Sequence, residues 1–224
     1  MKNLLIWDID GTLIQGRGIG RRAMDKAFLS LYGIEEGFKD ISMAGRLDAV
    51  ILNDAFNAHS ITGRNTKKYF DIYCSYLKEE IDKLTSPIFA PGILLLLEEL
   101  NKRDDTLCVL GTGNIENAAR IKLAFHDMNK YFPTGGFGNT EAERWEIIDE
   151  ARINASKLCN TVFKPENTYV IGDTPKDIEC GKILNIKTVG VATGPYSPEQ
   201  LQESGADYVF KDFTRYENFI DILG

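Results

Sequence analysis

Two aspartates separated by one residue, Asp8 and Asp10, are the first residues of this sequence whose types and spacing suggest chemistry. They follow a continuous apolar run, residues 4–7, whose length suits a buried strand of a parallel sheet. Side chains two positions apart in a strand share a face, so both carboxylates would project from its carboxyl end. Such close like charges repel unless a cation or a proton joins them, and Mg²⁺ suits carboxylate oxygens. The alternative is a simple polar turn at Gly11.

A second polar group follows another apolar run. Thr112, Gly113 and Asn114 separate a strand predicted over residues 107–110 from a helix predicted over residues 115–125. A hydroxyl group, a glycine and the free amides of a helix N-terminus form a suitable seat for a phosphoryl oxygen. The alternative is that Thr112 or Asn114 only caps the helix, as both residue types commonly do.

A third strand, predicted over residues 169–171, is closely followed by Asp173. In the next helix Thr174 would be the N-cap, Pro175 the first residue and Asp177 the third. Asp177 therefore has a structural explanation, as a first-turn carboxylate that interacts with the helix dipole. Asp173 has none, and a carboxylate at the tip of a strand fits a metal site at the sheet edge where α/β proteins bind ligands.

In this order, the three segments resemble motifs of the haloacid dehalogenase superfamily, and of its phosphatase branch in particular. Residues 8–12 are similar to the first motif, Thr112 matches the second, and residues 172–177 resemble the fourth. The resemblance reaches a closing segment, residues 190–209, and so covers nearly the whole chain. It implies a Mg²⁺-dependent phosphatase that works through an aspartyl-phosphate intermediate.

The third motif of the family supplies a cation, usually Lys and in some members Arg. Arg144, just before a helix predicted over residues 145–158, resembles the Arg variant of phosphoglycolate-phosphatase-like members. Lys157 and Lys164 remain alternatives, although they lie near the far end of that helix or beyond it. A further alternative is that Arg144 is exposed and pairs with a neighbouring glutamate.

The resemblance implies a role for each matching residue. Asp8 would attack phosphorus, and Asp10 would protonate the leaving alcohol and then take a proton from water. The residues implied in Mg²⁺ binding are Asp8, Asp10 through its backbone carbonyl, Asp173 and Asp177. The residues implied in neutralising the phosphoryl charge are Thr112 and Arg144. The residues implied in substrate binding are Gly11, Thr12, Gly45, Arg46, Gly113 and Asn114.

Residues 15–87 show only helical periodicity, over residues 21–32, 47–59 and 67–83. After them, strands and helices alternate, which implies a parallel sheet with helices on both faces. The elements predicted there, besides those named above, are helices over residues 93–102, 176–184, 198–203 and 216–223 and strands over residues 135–138, 188–191 and 208–210.

The predicted fold is therefore α/β, with a Rossmann-like parallel sheet that a helical segment interrupts directly after the first strand. By resemblance, residues 1–14 and 88–224 would form the catalytic core and residues 15–87 a helical cap. Breaker residues at both connections would permit hinge motion. These boundaries place Gly45 and Arg46 on the cap.

Gly45 and Arg46 lie where similar phosphatases have a glycine followed by Arg or Lys. Arg46 would meet the anionic end of a substrate, and Asp48 would cap the next helix. Leu47 departs from the threonine that the similar phosphatases carry at this position. The alternative for Arg46 is a solvated surface charge.

The composition is ordinary for a globular protein, with 43% hydrophobic and 26% charged residues in 224. The net charge of −7 argues against general binding to nucleic acid or to an anionic membrane. No secretory signal is recognisable, and the scattered cysteines predict free thiols in a reducing cytosol. We expect a cytoplasmic monomer or homodimer, with a small phosphorylated metabolite as its substrate.

Two other functions stay open. A phosphosugar mutase of the same superfamily would use the same core and would require a bisphosphate activator. A protein that kept the fold and lost turnover would only bind a phosphorylated ligand, which the intact acids at positions 8, 10, 173 and 177 disfavour. Asp10 also argues against a 2-haloacid dehalogenase, which resembles this fold but needs neither a second aspartate nor a metal.

Overall fold

The computed structural model describes residues 2–224. Within these residues six strands form one parallel sheet in the order β3-β2-β1-β4-β5-β6. The strands are β1 Asn3–Trp7, β2 Thr106–Thr112, β3 Gly135–Phe137, β4 Thr168–Gly172, β5 Lys187–Val191 and β6 Tyr208–Phe210. The predicted α/β fold class is confirmed, and β6 is an edge strand as predicted.

The first strand lies in the middle of the sheet. Trp7 pairs with Leu110 of β2 on one side and with Ile171 of β4 on the other. Since all strands are parallel, the carboxyl ends of β1, β2 and β4 are neighbours at one edge. This topology brings together the three chain segments that the sequence marked as polar.

Helices cover both faces of this sheet. On one face, Leu4 and Ile6 of β1 pack in a cluster with Ile148 from a core helix. On the other face, Leu5 and Trp7 belong to the larger apolar cluster. The helices after the insertion are α4 Ile93–Asn101, α5 Glu116–Ala124, α6 Arg144–Cys159, α7 Pro175–Ile183, α8 Pro198–Glu203 and α9 Tyr216–Asp221.

Three helices separate β1 from α4: α1 Ile19–Tyr32, α2 Asp48–Ala58 and α3 Thr66–Asp82. Buried aromatic rings pack between them, with Phe28 of α1 within 6.2 Å of both Phe56 of α2 and Tyr69 of α3, measured between ring centroids. These helices have their own apolar contacts, as a separate cap would need. The division into core and cap domains stays a prediction.

The chain enters and leaves the helical segment at adjacent points. Ile14 and Phe89 form an antiparallel bridge, and the Ala90 amide donates to the Leu13 carbonyl at 2.9 Å. Two neighbouring connections of this kind are compatible with rotation of one body on the other.

Each predicted helix and strand has a counterpart whose ends lie within two residues of the prediction. The strand predicted over residues 107–110 is longer at both ends. Thr106 extends it by pairing with Asn3 of β1, and residues 111–112 extend it by pairing with residues 136–137 of β3. A glycine argues against a strand in sequence, yet a Cβ at Gly111 would press on Ile6 and Ile148, so close packing explains it.

The remaining expectations concern cysteines and membranes. All four cysteines are free, as predicted. Among residues 2–224, every helix is too short or too polar to cross a bilayer.

Candidate active site

Three buried carboxylates meet where β1 and β4 end. Asp8, Asp173 and Asp177 each offer an oxygen atom, and these atoms lie within 4.8 Å of one another. Asp8 is 6% exposed, Asp173 1% and Asp177 not at all. Buried charges of one sign at this distance require compensation.

Two glycines let the chain approach Asp173. Gly11 has φ +91°, a conformation that a side chain disfavours, and a Cβ there would overlap the Asp173 carboxylate. A Cβ at Gly194 would overlap it as well. The Thr12 hydroxyl donates to Asp173 Oδ1 at 3.2 Å, and the Thr193 hydroxyl donates to the Gly11 carbonyl at 2.5 Å. The loops after β1 and β5 therefore fix the position of Asp173.

The electrostatics of this cluster favour a bound cation. Burial raises the pKa of Asp173 to about 8, with Asp8 and Asp177 adding repulsion. Burial raises the pKa of Asp8 to about 6, against the opposing charge of Arg144. An all-oxygen donor set with this excess of negative charge suits Mg²⁺. The residues therefore fit the metal that the family resemblance implies.

The main-chain carbonyl and the side-chain carboxylate of Asp10 differ in their hydrogen bonding. Among residues 2–224, no hydrogen bond ends on its carbonyl oxygen, which leaves that atom free to bind a cation. Its carboxylate Oδ2 instead accepts from Asn114 Nδ2 at 2.8 Å and from Lys122 Nζ at 2.6 Å. The carboxylate is thus held away from the cluster of Asp8, Asp173 and Asp177.

Arg144 lies between the nucleophile candidate and the fourth motif. Its Nη2 lies 3.1 Å from Asp8 Oδ1 and 2.6 Å from Asp177 Oδ1, and its side chain is buried. Burial opposes the charge, but Asp177 and Asp8 together raise the pKa of the guanidinium above its ordinary value. Arg144 is therefore not an exposed side chain that pairs with a neighbouring glutamate. The two alternative cations, Lys157 and Lys164, do not line the cavity described below.

Asp177 already has partners for both oxygens. Oδ1 accepts from Arg144, and Oδ2 accepts from the Thr174 amide at 3.1 Å and hydroxyl at 2.8 Å. Pro175 is the first residue of α7, so the predicted capping arrangement is present. Asp177 therefore orients Arg144 and caps α7, and its contribution to metal binding stays a prediction.

The second motif forms one wall of the site. Thr112 is buried, and its hydroxyl accepts from Asn114 Nδ2 at 2.8 Å. Gly113 and Asn114 line the cavity, whereas Thr112 and Thr12 do not. Thr112 thus orients Asn114, and Thr12 orients Asp173 from behind the cavity wall.

A cavity of about 310 Å³ opens over these groups between the sheet edge and the inserted helices. Gly45 and Arg46 from the segment before α2 line it, together with Gly11. Two further cations line its wall, Arg17 from the loop before α1 and Arg21 from the first turn of α1. A volume of this size suits a small metabolite.

Arg46 lies at the cavity wall but has protein partners. Its Nη2 lies 2.5 Å from Asp54 Oδ2, and its Nη1 donates to the Ser42 carbonyl at 3.1 Å. Its side chain is 30% exposed. It is therefore neither fully solvated nor committed to a ligand in this conformation.

Sequence reasoning missed Lys122. It lies on α5, 4% exposed, and reaches both Asp10 and Asn114. A signal was present, because Lys122 falls in the same helical stripe as the apolar residues Ala118 and Ala119. Lysine is almost never fully buried unless it is paired, so a lysine in such a stripe indicates a buried acceptor.

Asp48 links the inserted helices to the core. Its carboxylate Oδ2 accepts from the Ile115 amide at 2.9 Å, and its amide donates to the Gly113 carbonyl at 2.7 Å. It lies at the start of α2 but uses its carboxylate on the core loop before α5. Burial raises its pKa to about 7, despite the nearby charge of Lys122.

We expect Asp48→Asn to stabilise the protein more at pH 8 than at pH 5. The folded-state pKa lies above the ordinary value of 3.8, so between the two values the folded state binds a proton that the unfolded state lacks. Wild-type stability therefore falls as pH rises towards 7, by at most about 4 kcal/mol. An asparagine side chain is uncharged and avoids this loss of stability, and its oxygen can still accept the hydrogen bond from the Ile115 backbone amide. Thermal melts at both pH values measure the difference, with exposed Asp104→Asn as the matched control.

Known proteins resemble this chain over most of its length. A family model described as haloacid dehalogenase-like hydrolase matches residues 5–182, which include all three clustered carboxylates. The pyrophosphatase PpaX of Oceanobacillus iheyensis is 22% identical over 224 residues, covering 98% of this chain and 96% of that protein. A phosphoglycolate phosphatase of Aquifex aeolicus is 26% identical, covering 83% of this chain and 82% of that protein. The solved structure of CbbY from Rhodobacter sphaeroides in complex with phosphate has a TM-score of 0.72 at 17% identity, with 96% of each chain covered.

Proposed function

Because the chain belongs to the haloacid dehalogenase-like hydrolases, we propose that it is a Mg²⁺-dependent phosphatase of small phosphate monoesters. Its relatives include enzymes named as a pyrophosphatase and a phosphoglycolate phosphatase, and it is a hydrolase of the same phosphatase kind. The observation that carries the proposal is the position of Asp8, a buried carboxylate at the cavity with Arg144 at 3.1 Å. A nucleophile paired with a fixed cation at this position suits attack on a phosphoryl group.

The proposed reaction has two steps. In the first, an oxygen of Asp8 bonds to phosphorus, and the bond from phosphorus to the leaving oxygen breaks as Asp10 gives that oxygen a proton. In the second, water loses a proton to Asp10 and attacks the phosphorus of the aspartyl phosphate. The bond between Asp8 and phosphorus then breaks, which releases inorganic phosphate and restores both carboxyl groups.

The surrounding residues would balance the charge of the phosphoryl group. Arg144 and the amides of Gly113 and Asn114 would attract its oxygens. Mg²⁺ would be held by the carboxylates of Asp8 and Asp173 with the Asp10 carbonyl oxygen, and when bound it supplies positive charge beside the transferring group. Asp177 would act mainly by orienting Arg144.

The inserted helices would serve as the cap that closes this site. Contacts such as the one from Asp48 to the Ile115 amide support a closed arrangement over the cavity. Closure would exclude water during phosphoryl transfer and would bring cap arginines to the leaving group. Arg17, Arg21 and Arg46 at the cavity wall favour a substrate whose leaving group carries an anionic group such as a carboxylate.

The test of this function is phosphate release across a panel of phosphate monoesters with Mg²⁺. Asp8→Asn protein is the blank, because it keeps the cavity but lacks the nucleophile. Release above the blank from one or more monoesters supports the proposal, and no release from any monoester contradicts it. Turnover that requires a bisphosphate activator would instead indicate a mutase.

We expect Arg46→Ala to lower kcat/KM for an acidic monoester by about 10- to 100-fold, the worth of one charge-assisted hydrogen bond. The leaving group of p-nitrophenyl phosphate carries no carboxylate or second phosphate for Arg46 to bind, so the change in kcat/KM on this substrate should be small. Steady-state kinetics on both substrates measure this difference.

The matched control is Arg64→Ala, which removes another arginine of the inserted segment. Arg64 lies in the loop between α2 and α3, outside the cavity, and donates hydrogen bonds to Asn53 and Asn57. Equal losses on the two substrates in Arg46→Ala would mean that Arg46 supports cap structure or closure. No loss on either substrate would return Arg46 to a surface role.

A further inference from the structure

Lys122 is a buried cation that the reaction described above does not use. Its side chain is 3% exposed, and its Nζ lies 2.6 Å from Asp10 Oδ2 and 2.6 Å from Asn114 Oδ1. These two acceptors are its hydrogen-bond partners within residues 2–224. Burying an ammonium group is costly, so its partners must hold it closely.

The lysine is part of a closed polar network. Asn114 donates through Nδ2 to Asp10 Oδ2 and to the Thr112 hydroxyl, and it accepts from Lys122 through Oδ1. Oδ2 of Asp10 therefore receives two hydrogen bonds, one from a charged donor. Such a doubly bonded oxygen has a fixed position.

The other carboxylate oxygen of Asp10 has a different environment. No hydrogen bond within residues 2–224 ends on Oδ1, and the Asp10 side chain is 42% exposed at the cavity. A Cβ at Gly16 would lie 3.0 Å from Oδ1, so the glycine leaves that oxygen accessible. One oxygen is thus tethered and the other is free.

We propose that Lys122 is the positioning residue for Asp10, holding Oδ2 so that Oδ1 meets the leaving oxygen of the substrate and later the attacking water. This proposal rests on the proposed phosphatase function. Lys122 itself neither gains nor loses a proton. Oδ1 gives its proton to the leaving oxygen as the bond to phosphorus breaks, and it takes one from water in the second step.

The alternative is that Lys122 only stabilises the fold beneath the inserted helices. A Cβ built on Gly20 of α1 would be 3.5 Å from Lys122 Nζ and 3.7 Å from the hydroxyl of Tyr73 on α3. Lys122 therefore lies beside the inserted helices. A fold-stabilising residue would affect all substrates alike. A residue that positions the general acid affects a substrate in proportion to how much its leaving group needs a proton.

The test compares kcat/KM on phenyl phosphate and p-nitrophenyl phosphate, since phenolate is the poorer leaving group. We expect Lys122→Met to lower kcat/KM by about 100-fold on phenyl phosphate and by no more than about threefold on p-nitrophenyl phosphate. Lys122→Arg, which keeps a charged donor, should recover part of the loss on phenyl phosphate. The control is Lys102→Met, which removes an exposed lysine paired with Glu99 on α4 and should change neither value.

A double variant separates positioning from folding. In an Asp10→Asn background the general acid is already lost, so adding Lys122→Met should cost no more than about threefold. A parallel loss on both aryl phosphates, or a further large loss in that background, would overturn the proposal. If circular dichroism shows that Lys122→Met does not fold, Lys122→Gln replaces it in both comparisons. Wild-type protein inactive on every monoester would contradict the phosphatase function instead.

Discussion

Replacing Asp8 by Asn should abolish phosphate release while leaving the protein folded. The amide has the same shape as the carboxylate but cannot attack phosphorus, so we expect turnover to fall by about 10⁴-fold or more. Arg144 keeps its bonds to Asp177 at 2.6 and 3.1 Å, so no buried cation loses every partner. Phosphate release under saturating Mg²⁺ and substrate measures the loss, and a thermal melt checks the fold.

Three further experiments make this result specific. Asp104→Asn, the same substitution at an exposed position, should keep wild-type turnover. Mass spectrometry of fresh Asp8→Asn protein excludes deamidation back to aspartate. Acid-quenched wild-type enzyme should carry a labelled phosphoryl group that Asp8→Asn lacks. Turnover close to wild type in undeamidated Asp8→Asn protein would falsify the assignment of the nucleophile.

The fold could be predicted because local patterns and topology agree. The apolar runs before Asp8, Thr112 and Asp173 are buried strands, and parallel pairing makes their carboxyl ends neighbours. The order of the strands was not predicted, and it is the pairing of β1 with β4 in the structure that makes Asp8 and Asp173 meet. The start of α7 was predictable from local sequence alone, because Thr174, Pro175 and Asp177 form a capping signal that needs no tertiary contact.

The rest of the site depends on contacts between distant segments. The partners of Arg144 come from positions 8 and 177, which sequence spacing does not connect. Only the structure shows that Asp177 uses both oxygens on Arg144 and Thr174, which gives it an orienting role beside the predicted metal binding. Arg46 pairs with Asp54 in the second turn of α2, and this pairing likewise could not be predicted from the sequence.

Lys122 illustrates the limit most clearly. Motif reading proceeds along strand ends, and Lys122 lies within α5, eight residues after Asn114. Its position in an apolar stripe indicated a buried acceptor but not which one. That Asp10 turns its carboxylate towards α5 depends on the path of the loop after β1. Buried charge in a predicted helix therefore merits the same attention as a motif.

The second large effect concerns the metal. Removal of divalent cations with EDTA should abolish turnover, and Mg²⁺ should restore it and raise the melting temperature. At a Mg²⁺ concentration 100 times its Kd, mass action adds about 2.7 kcal/mol to the free energy of unfolding, or about 5 to 10 °C to the melting temperature of a chain of this size.

The shift in melting temperature should be larger at pH 8.5 than at pH 6. The pKa of Asp173 is raised to about 8 and that of Asp8 to about 6, so at pH 6 these carboxyl groups carry protons that Mg²⁺ must displace.

Asp173→Asn and Asp177→Asn should separate metal binding from orientation. Asp173 accepts one side-chain hydrogen bond, from Thr12, and is repelled by the neighbouring carboxylates. Asp173→Asn should therefore weaken the Mg²⁺-dependent shift without lowering metal-free stability. Asp177 is the closer partner of buried Arg144, which would keep only Asp8 at 3.1 Å, so Asp177→Asn should lower metal-free stability by about 1.5–3 kcal/mol, the worth of a hydrogen bond to a charged group, and change the Mg²⁺ shift less. Melting temperatures over a Mg²⁺ titration give both quantities for each variant. If Asp177→Asn lost more Mg²⁺ affinity than Asp173→Asn, the cation would bind nearer to Asp177, and the assignment of Asp173 as the main ligand would be wrong.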